Sequence, residues 1–215
     1  MIEDMRGAVK RIGRPVHKYL RQKKVVLFFQ SIRRTPKRTL LDVGGGIGID
    51  SEFRPLYEAF EEVVVLNLMP PDVPSTDGNV RRIIADGCRL PFPSKSFDWV
   101  FSNAVLEHVG ALEQRTRFAA EIRRVARFGY FVTTPNRLFP IEPHTLLPFY
   151  QFFPTSWQRR IVCLSPYYLE KYEDIHLLYA SELQELFPES TIVSTGFPVL
   201  GTSLVAVHSE PSGVQ

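Results

Sequence analysis

Cysteine is nearly absent. Cys88 and Cys163 are the only two in 215 residues, which excludes a disulfide framework and a thiolate metal cluster, and makes a reduced, cytoplasmic setting the expectation. Histidine is scarce too, at five, and no His, Cys or carboxylate set recurs at ligand spacing, so no metal centre is expected. No apolar run approaches the ~20 residues that a membrane-spanning helix needs. The start, Met1 to Arg6, carries Glu3 and Asp4 and no apolar core of about 7–15 residues, so it does not read as a secretory signal. Internal repeats and low-complexity tracts are missing as well. What is left is the length and the 44% apolar content of one soluble α/β domain with additions.

The charge is unevenly spread. The net charge is +3, yet residues 1–38 alone hold twelve Lys and Arg against Glu3 and Asp4, which leaves the rest of the chain acidic on balance. This basic extension also contains Val25-Val26-Leu27-Phe28-Phe29, and Pro15 is well placed to open a helix running to about Arg33. One reading is an accessory helix that packs its apolar side on the domain and solvates its charges. A second is peripheral contact with an anionic membrane surface, at its cytoplasmic face; a third, less favoured, is a nucleic-acid backbone.

Beyond residue 38, apolar runs alternate with helical patterns. Strands are expected at Thr39–Val43, Glu62–Asn67, Val80–Ala85, Phe97–Ser102, Gly129–Thr134, Thr191–Gly196 and Ser203–His208, and helices at Ser51–Phe60 and Leu112–Arg127. Such alternation implies a doubly wound, mostly parallel sheet with helices on both faces. Only Phe197–Thr202 separates the last two strands, too few residues for a crossover helix, so they should close the seven-stranded sheet as an antiparallel hairpin. The core domain would then be residues 39–209, followed by a loose tail, 210–215. Residues 138–168 break the pattern. They are rich in proline and aromatics (Phe139, Phe149, Tyr150, Phe152, Phe153, Trp157, Tyr167, Tyr168) and read as a lid with a helix around Ser156–Leu164.

The most informative segment is Thr39 to Asp50. A buried strand ends in Asp42, and glycines at 44, 46 and 48 then allow a tight turn and a close backbone approach to a ligand. A dinucleotide fingerprint would place its third glycine at position 49, where Ile49 stands, so the turn favours a nucleoside ligand without a pyrophosphate. Polar residues also end the next three strands: Asn67, then Asp86-Gly87, then Ser102-Asn103. In open α/β sheets that edge is where ligands bind.

These strand ends, with the strings Ala85-Asp86-Gly87-Cys88-Arg89-Leu90-Pro91-Phe92, Ser96-Phe97-Asp98-Trp99-Val100 and Glu121-Ile122-Arg123-Arg124-Val125, resemble the class I S-adenosylmethionine-dependent methyltransferases, in their small-molecule branch. The likeness covers about Thr39–Thr134 closely and the terminal hairpin more loosely. It implies that Asp42 with the backbone of Gly44, Gly45, Gly46 and Gly48 holds the amino-acid end of S-adenosyl-L-methionine. It implies further that Asn67 meets the ribose, that Leu68 and Met69 pack near the adenine, and that Asp86, flanked by Gly87 and Cys88, accepts from the adenine amino group. Asn103 would lie beside the methyl group. The family usually carries a carboxylate where Asn67 stands; an amide can still accept, without charge assistance.

A hydroxyl acceptor would gain from a base within hydrogen-bond reach. Just past the fifth strand, Asn136, Arg137, Glu142 and His144 come together in sequence. His144 is the first candidate for the base with Glu142 as its orienter, and His108 is the second. The aromatic lid suits a small, hydrophobic or amphiphilic acceptor such as a lipid-linked saccharide or a polyprenylated ring, methylated at oxygen. The competing readings are a non-catalytic binding protein on this fold, a nucleic-acid methyltransferase, and a nicotinamide oxidoreductase, which fails at Ile49.

Overall fold

The structure, a computed structural model, describes residues 2–33, 35–45, 53–70, 78–165, 172–197 and 199–210, with side chains from Pro15 onward. Helix α1 spans Ile2–Ser31. Strand β1 is Thr39–Val43, α2 Arg54–Glu58, β2 Glu62–Asn67, β3 Val80–Ile84 and β4 Phe97–Asn103. Helix α3, Leu112–Val125, passes directly into β5, Ala126–Pro135. The lid region carries α4, Thr155–Ile161; then come α5, Ala180–Leu186, β6, Thr191–Gly196, and β7, Gly201–Ser209.

The seven strands form one sheet in the order β3-β2-β1-β4-β5-β7-β6. Strands β1 to β5 run parallel, while β7 pairs antiparallel with both β5 and β6. The strand order reverses between β1 and β4, so their carboxyl ends flank the crevice where such sheets bind ligands. The doubly wound reading of the sequence holds in every strand. Its helices needed adjustment. The helix expected at Leu112–Arg127 ends at Val125 because Ala126 is already extended and pairs with Phe97. The helix at Ser51–Phe60 is described only from Arg54 to Glu58. Helix α5 has no counterpart among the expected elements; its seven residues are too few to show a full apolar period.

The N-terminal segment differs most. Pro15 does not open the helix but lies inside α1, its fixed φ being helical and its missing N–H removing one bond only. The helix is also not an accessory cover but part of the core. Val25, Phe28 and Ile32 are buried with Phe53, Leu56, Phe60, Trp99, Phe101 and Phe131 on one face of the sheet. Phe28 meets the rings of Trp99, Phe101 and Phe131 edge to face at 5.8, 5.5 and 5.4 Å, an arrangement that adds to the burial of its own area. The chain after the helix is pinned to the same strand: Trp99 Nε1 donates to Thr35 Oγ1 at 2.7 Å, and the amide of Arg38 donates to Asp98 at 2.9 Å. The other face is covered by α3 and α5 through Phe118, Ile122, Leu183 and Phe187.

The lid is fastened at several points. Asn136 pairs with Leu178, and the Gln151 amide donates to the carbonyls of Arg137 and Phe139 at 3.1 and 2.6 Å. Ser165 Oγ donates to the Thr145 carbonyl at 2.8 Å. The expected helix around Ser156–Leu164 is present as α4 with a final 3-10 turn, Val162–Leu164. Tyr167 and Tyr168 lie outside the described residues.

Candidate active site

Asp42 ends β1 almost fully buried, and Tyr57 from α2 donates its hydroxyl to the Asp42 carboxylate. Burial pushes the Asp42 carboxyl up to about 6, against the Tyr57 hydrogen bond and the Arg82 charge. The turn behind it needs glycine. Gly44 sits at φ +82°, where a Cβ would strike Val105, and a Cβ on Gly45 would stand 2.7 Å from Asp42 Oδ2 and 2.5 Å from Val65. A backbone this bare beside a buried carboxylate could take the ammonium and carboxylate of an amino-acid ligand. Gly46 and Gly48 lie outside the described residues.

At the end of β2 the Asn67 side chain braces that same turn. Its NH2 donates to the Gly45 carbonyl at 2.9 Å, and its oxygen accepts from the Met69 amide at 3.3 Å. A carboxylate could not make the first bond, which gives the departure from the family pattern a structural reason. The amide oxygen keeps a second lone pair for a hydroxyl. Leu68 and Met69 beyond it are exposed apolar side chains.

Asp86, after β3, is exposed and accepts from the Cys88 amide at 2.8 Å through Oδ1, which fixes the carboxylate. Gly87 is required here as well, since a Cβ would come within 2.6 Å of Phe118. Burial, with the Asp86 charge, raises the Cys88 thiol to about 11, so it stays protonated at neutral pH. Asn103, at the end of β4, accepts from Thr133 Oγ1 at 2.8 Å and from the ammonium of Lys24 at 3.0 Å. Ala104 follows in the left-handed region at φ 55°, a strained turn for a residue with a Cβ. Asp42, Gly44, Gly45, Asn67, Asp86 and Asn103 thus share the carboxyl edge of the sheet.

The structure brings His144 and Glu142 into contact. His144 Nδ1 and Glu142 Oε1 are 2.6 Å apart, and Glu142, 3% exposed, also accepts from the amides of His144 and Thr145. Burial alone would lower the His144 pKa, but the hydrogen bond and charge of Glu142, with Glu107 and Glu173, raise it above 6.5 on balance. Burial opposes and the His144 and Thr145 contacts outweigh it in Glu142, whose pKa is lowered. The pair therefore stabilises the fold most between the unfolded pKa values, about 4.3 for Glu and 6.5 for His. His108 lies edge-on to His144, ring centroids 5.1 Å apart, with its own pKa lowered by burial and by His144.

Two buried groups in this region were not legible as site residues. Glu107, 1% exposed, accepts from Thr134 Oγ1 at 3.1 Å through one oxygen, and its Oε1 has no partner. Burial pushes its carboxyl up to about 7. Lys24 comes from α1 across the sheet edge, a position that sequence spacing could not disclose. Glu107, His108 and His144 bring their polar atoms to within 4.8 Å of one another.

These residues border a cavity of about 490 Å³ between α1 and the lid. Lys24, Asn103, Glu107 and His144 form its polar side, and Leu20, Phe139, Ile141, Leu146 and Phe197 belong to its apolar wall. The cavity therefore adjoins the cofactor edge at Asn103 and the candidate base at His144 together.

A twisted sheet of this order, with a glycine cradle after β1 and acids or amides after β2, β3 and β4, defines the class I methyltransferases. Residues 41–133 match the family model described as methyltransferase domain. Three solved structures share the fold. Magnesium protoporphyrin IX methyltransferase from Synechocystis, with bound S-adenosylhomocysteine, superposes with a TM-score of 0.60 at 15% identity over 92% of this chain and 84% of that one. The N-methyltransferase NodS from Bradyrhizobium japonicum, also with S-adenosylhomocysteine, gives 0.59 at 13% identity over 89% and 87%. A SAM-dependent methyltransferase from Aquifex aeolicus gives 0.55 at 14% identity over 94% and 96%. Comparison with curated proteins gives no match. The likeness to a methyltransferase domain thus runs through β1 to β5, on a fold shared with S-adenosylmethionine-dependent methyltransferases.

Proposed function

We propose that this chain is an S-adenosylmethionine-dependent methyltransferase acting on a hydroxyl oxygen of a small hydrophobic or amphiphilic acceptor held in the cavity between α1 and the lid. The observation that carries the reading is His144, locked by Glu142 and standing in the wall of an apolar cavity that reaches Asn103. When bound, S-adenosylmethionine supplies an already activated methyl group, so the protein has to align the acceptor oxygen and take its proton. Glu142 binds Nδ1, which leaves His144 Nε2 to face the acceptor as base. The cradle at Asp42, Gly44 and Gly45 would hold the amino-acid end of the cofactor, Asn67 the ribose and Asp86 the adenine amino group.

Labelled methyl transfer into an organic-solvent extract of the source organism's cells tests the acceptor class. Label should partition with the organic phase; label confined to nucleic acid or protein would contradict the reading. Asp86→Ala should weaken S-adenosylhomocysteine binding by roughly 1–3 kcal/mol in calorimetry, the scale of one lost hydrogen bond at a buried ligand.

The pH profile gives a further check. A base works deprotonated, so turnover should fall as pH drops through the His144 pKa, which lies above 6.5. Glu142→Gln removes the main factor that raises this pKa. The acid limb should therefore move to lower pH, with a reduced plateau from lost orientation. An unmoved limb would assign the titration to another group.

An amphiphilic acceptor would be met at a membrane surface, and the lid suits that. Phe149, Phe152, Trp157 and Leu164 are exposed on it, and Arg159 and Arg160 lie beside Trp157 in α4. Among the described residues no helix is long and apolar enough to cross a membrane. Removing α1 would not test this contact, since Phe28 belongs to the core. Co-sedimentation with anionic liposomes should instead be compared for the wild type and Phe152→Ser/Trp157→Ser, and equal binding by both would remove the lid from the membrane contact.

A further inference from the structure

Lys24 has a poor set of partners for a buried cation. Its side chain reaches from α1 to the strand ends, where Nζ is 3.0 Å from Asn103 Oδ1 and 3.5 Å from Thr133 Oγ1. Both are neutral acceptors, and Asn103 Oδ1 is shared with the Thr133 hydroxyl. An ammonium has three donors. Among the described residues no carboxylate lies within ion-pair distance of it. A buried charge without a counter-charge is costly, several kcal/mol in real proteins, and natural chains seldom leave one without a purpose.

The cavity places this cation where an acceptor would be. Lys24 and Arg21 line it from α1, together with the apolar side chains of Leu20, Phe139, Leu146 and Phe197. Glu107 acts on Lys24 through its charge without touching it, and burial pushes the Glu107 carboxyl up to about 7, towards its neutral form. Burial lowers the Lys24 pKa to about 8, Glu107 pulling it up and Arg21 down. An anionic oxygen arriving in the cavity would supply the missing partner and use the free donor of Nζ.

We propose that Lys24 is a specificity-determining residue, which pairs with an anionic oxygen of an acceptor whose apolar body fills the cavity. This rests on the methyltransferase reading and narrows its substrate class to amphiphilic anions, carboxylates or phosphate esters. The charge anchors the acceptor beside Asn103, the strand end nearest the transferable methyl in this family, while the apolar wall selects the body. A carboxylate or a phosphate ester would be anchored at its anionic group and methylated at a separate hydroxyl facing His144.

The test uses the full chain saturated with S-adenosylhomocysteine, with naphthoate, naphthyl phosphate and the neutral naphthamide as probes in calorimetric titrations. Failure to bind S-adenosylhomocysteine would defeat the methyltransferase reading itself. If the product cofactor binds, at least one anionic probe should bind about 10-fold or more tightly than naphthamide. Which of the two does so separates carboxylate from phosphate recognition. Lys24→Gln, which keeps a donor and loses the charge, should bind all three probes alike while its affinity for S-adenosylhomocysteine stays within about 3-fold. Lys24→Arg should retain the preference. Equal binding of anionic and neutral probes by the wild type, or an undiminished preference in Lys24→Gln, overturns the proposal. Should Lys24→Gln fail to fold, the wild-type comparison and Lys24→Arg still decide it.

Discussion

His144→Ala is expected to lower turnover by about 10²-fold or more while leaving S-adenosylhomocysteine affinity nearly unchanged. The size follows from what the imidazole does in the account. A hydroxyl cannot attack without losing its proton, and general bases typically contribute 10²–10⁴-fold. His144 is held by a 2.6 Å contact to a buried carboxylate that itself accepts from two backbone amides, so its ring is fixed before any ligand arrives. The cofactor cradle lies on other elements, at the ends of β1 to β3, which is why binding should survive. Turnover is read as labelled methyl entering the organic-extractable acceptor, and affinity by calorimetry. Unchanged turnover would return His144 and Glu142 to bracing the lid.

Phe28→Ala should cost about 3–5 kcal/mol of stability, the range for deleting a large aromatic side chain from a packed core. Phe28 is fully buried and touches rings from β4 and β5, so the hole would open at the centre of one face of the sheet. Because the same helix turn carries Lys24, the loss should also loosen the cavity. Denaturant unfolding measures it: the midpoint should fall sharply with the slope little changed. A change below about 1 kcal/mol would mean that α1 is an accessory cover after all.

Much of this could be seen in the chain beforehand, and the reason is local. Strands buried on both faces leave apolar runs that end in polar residues, so Thr39–Val43 with Asp42 and Glu62–Asn67 with Asn67 mark themselves. The Glu142–His144 pair was visible because a single residue, Pro143, separates its members. What escaped notice is non-local. Phe28 looks like part of a basic amphipathic helix until the rings of Trp99 and Phe131 close around it, and Lys24 looks like surface charge until β4 and β5 bring Asn103 and Thr133 beneath it. Asn67 shows the same lesson in reverse. Its amide reads as a weakened ribose anchor in sequence, whereas the bond to the Gly45 carbonyl needs that NH2.

The central claim is that the glycine cradle beneath Asp42, with Asn67 and Asp86 along the same edge, holds S-adenosylmethionine. Calorimetric titration of the full-length protein with S-adenosylhomocysteine tests it most directly. The account predicts saturable binding at one site per chain, with NAD producing no heat in the same cell. Absence of binding at millimolar S-adenosylhomocysteine would contradict it.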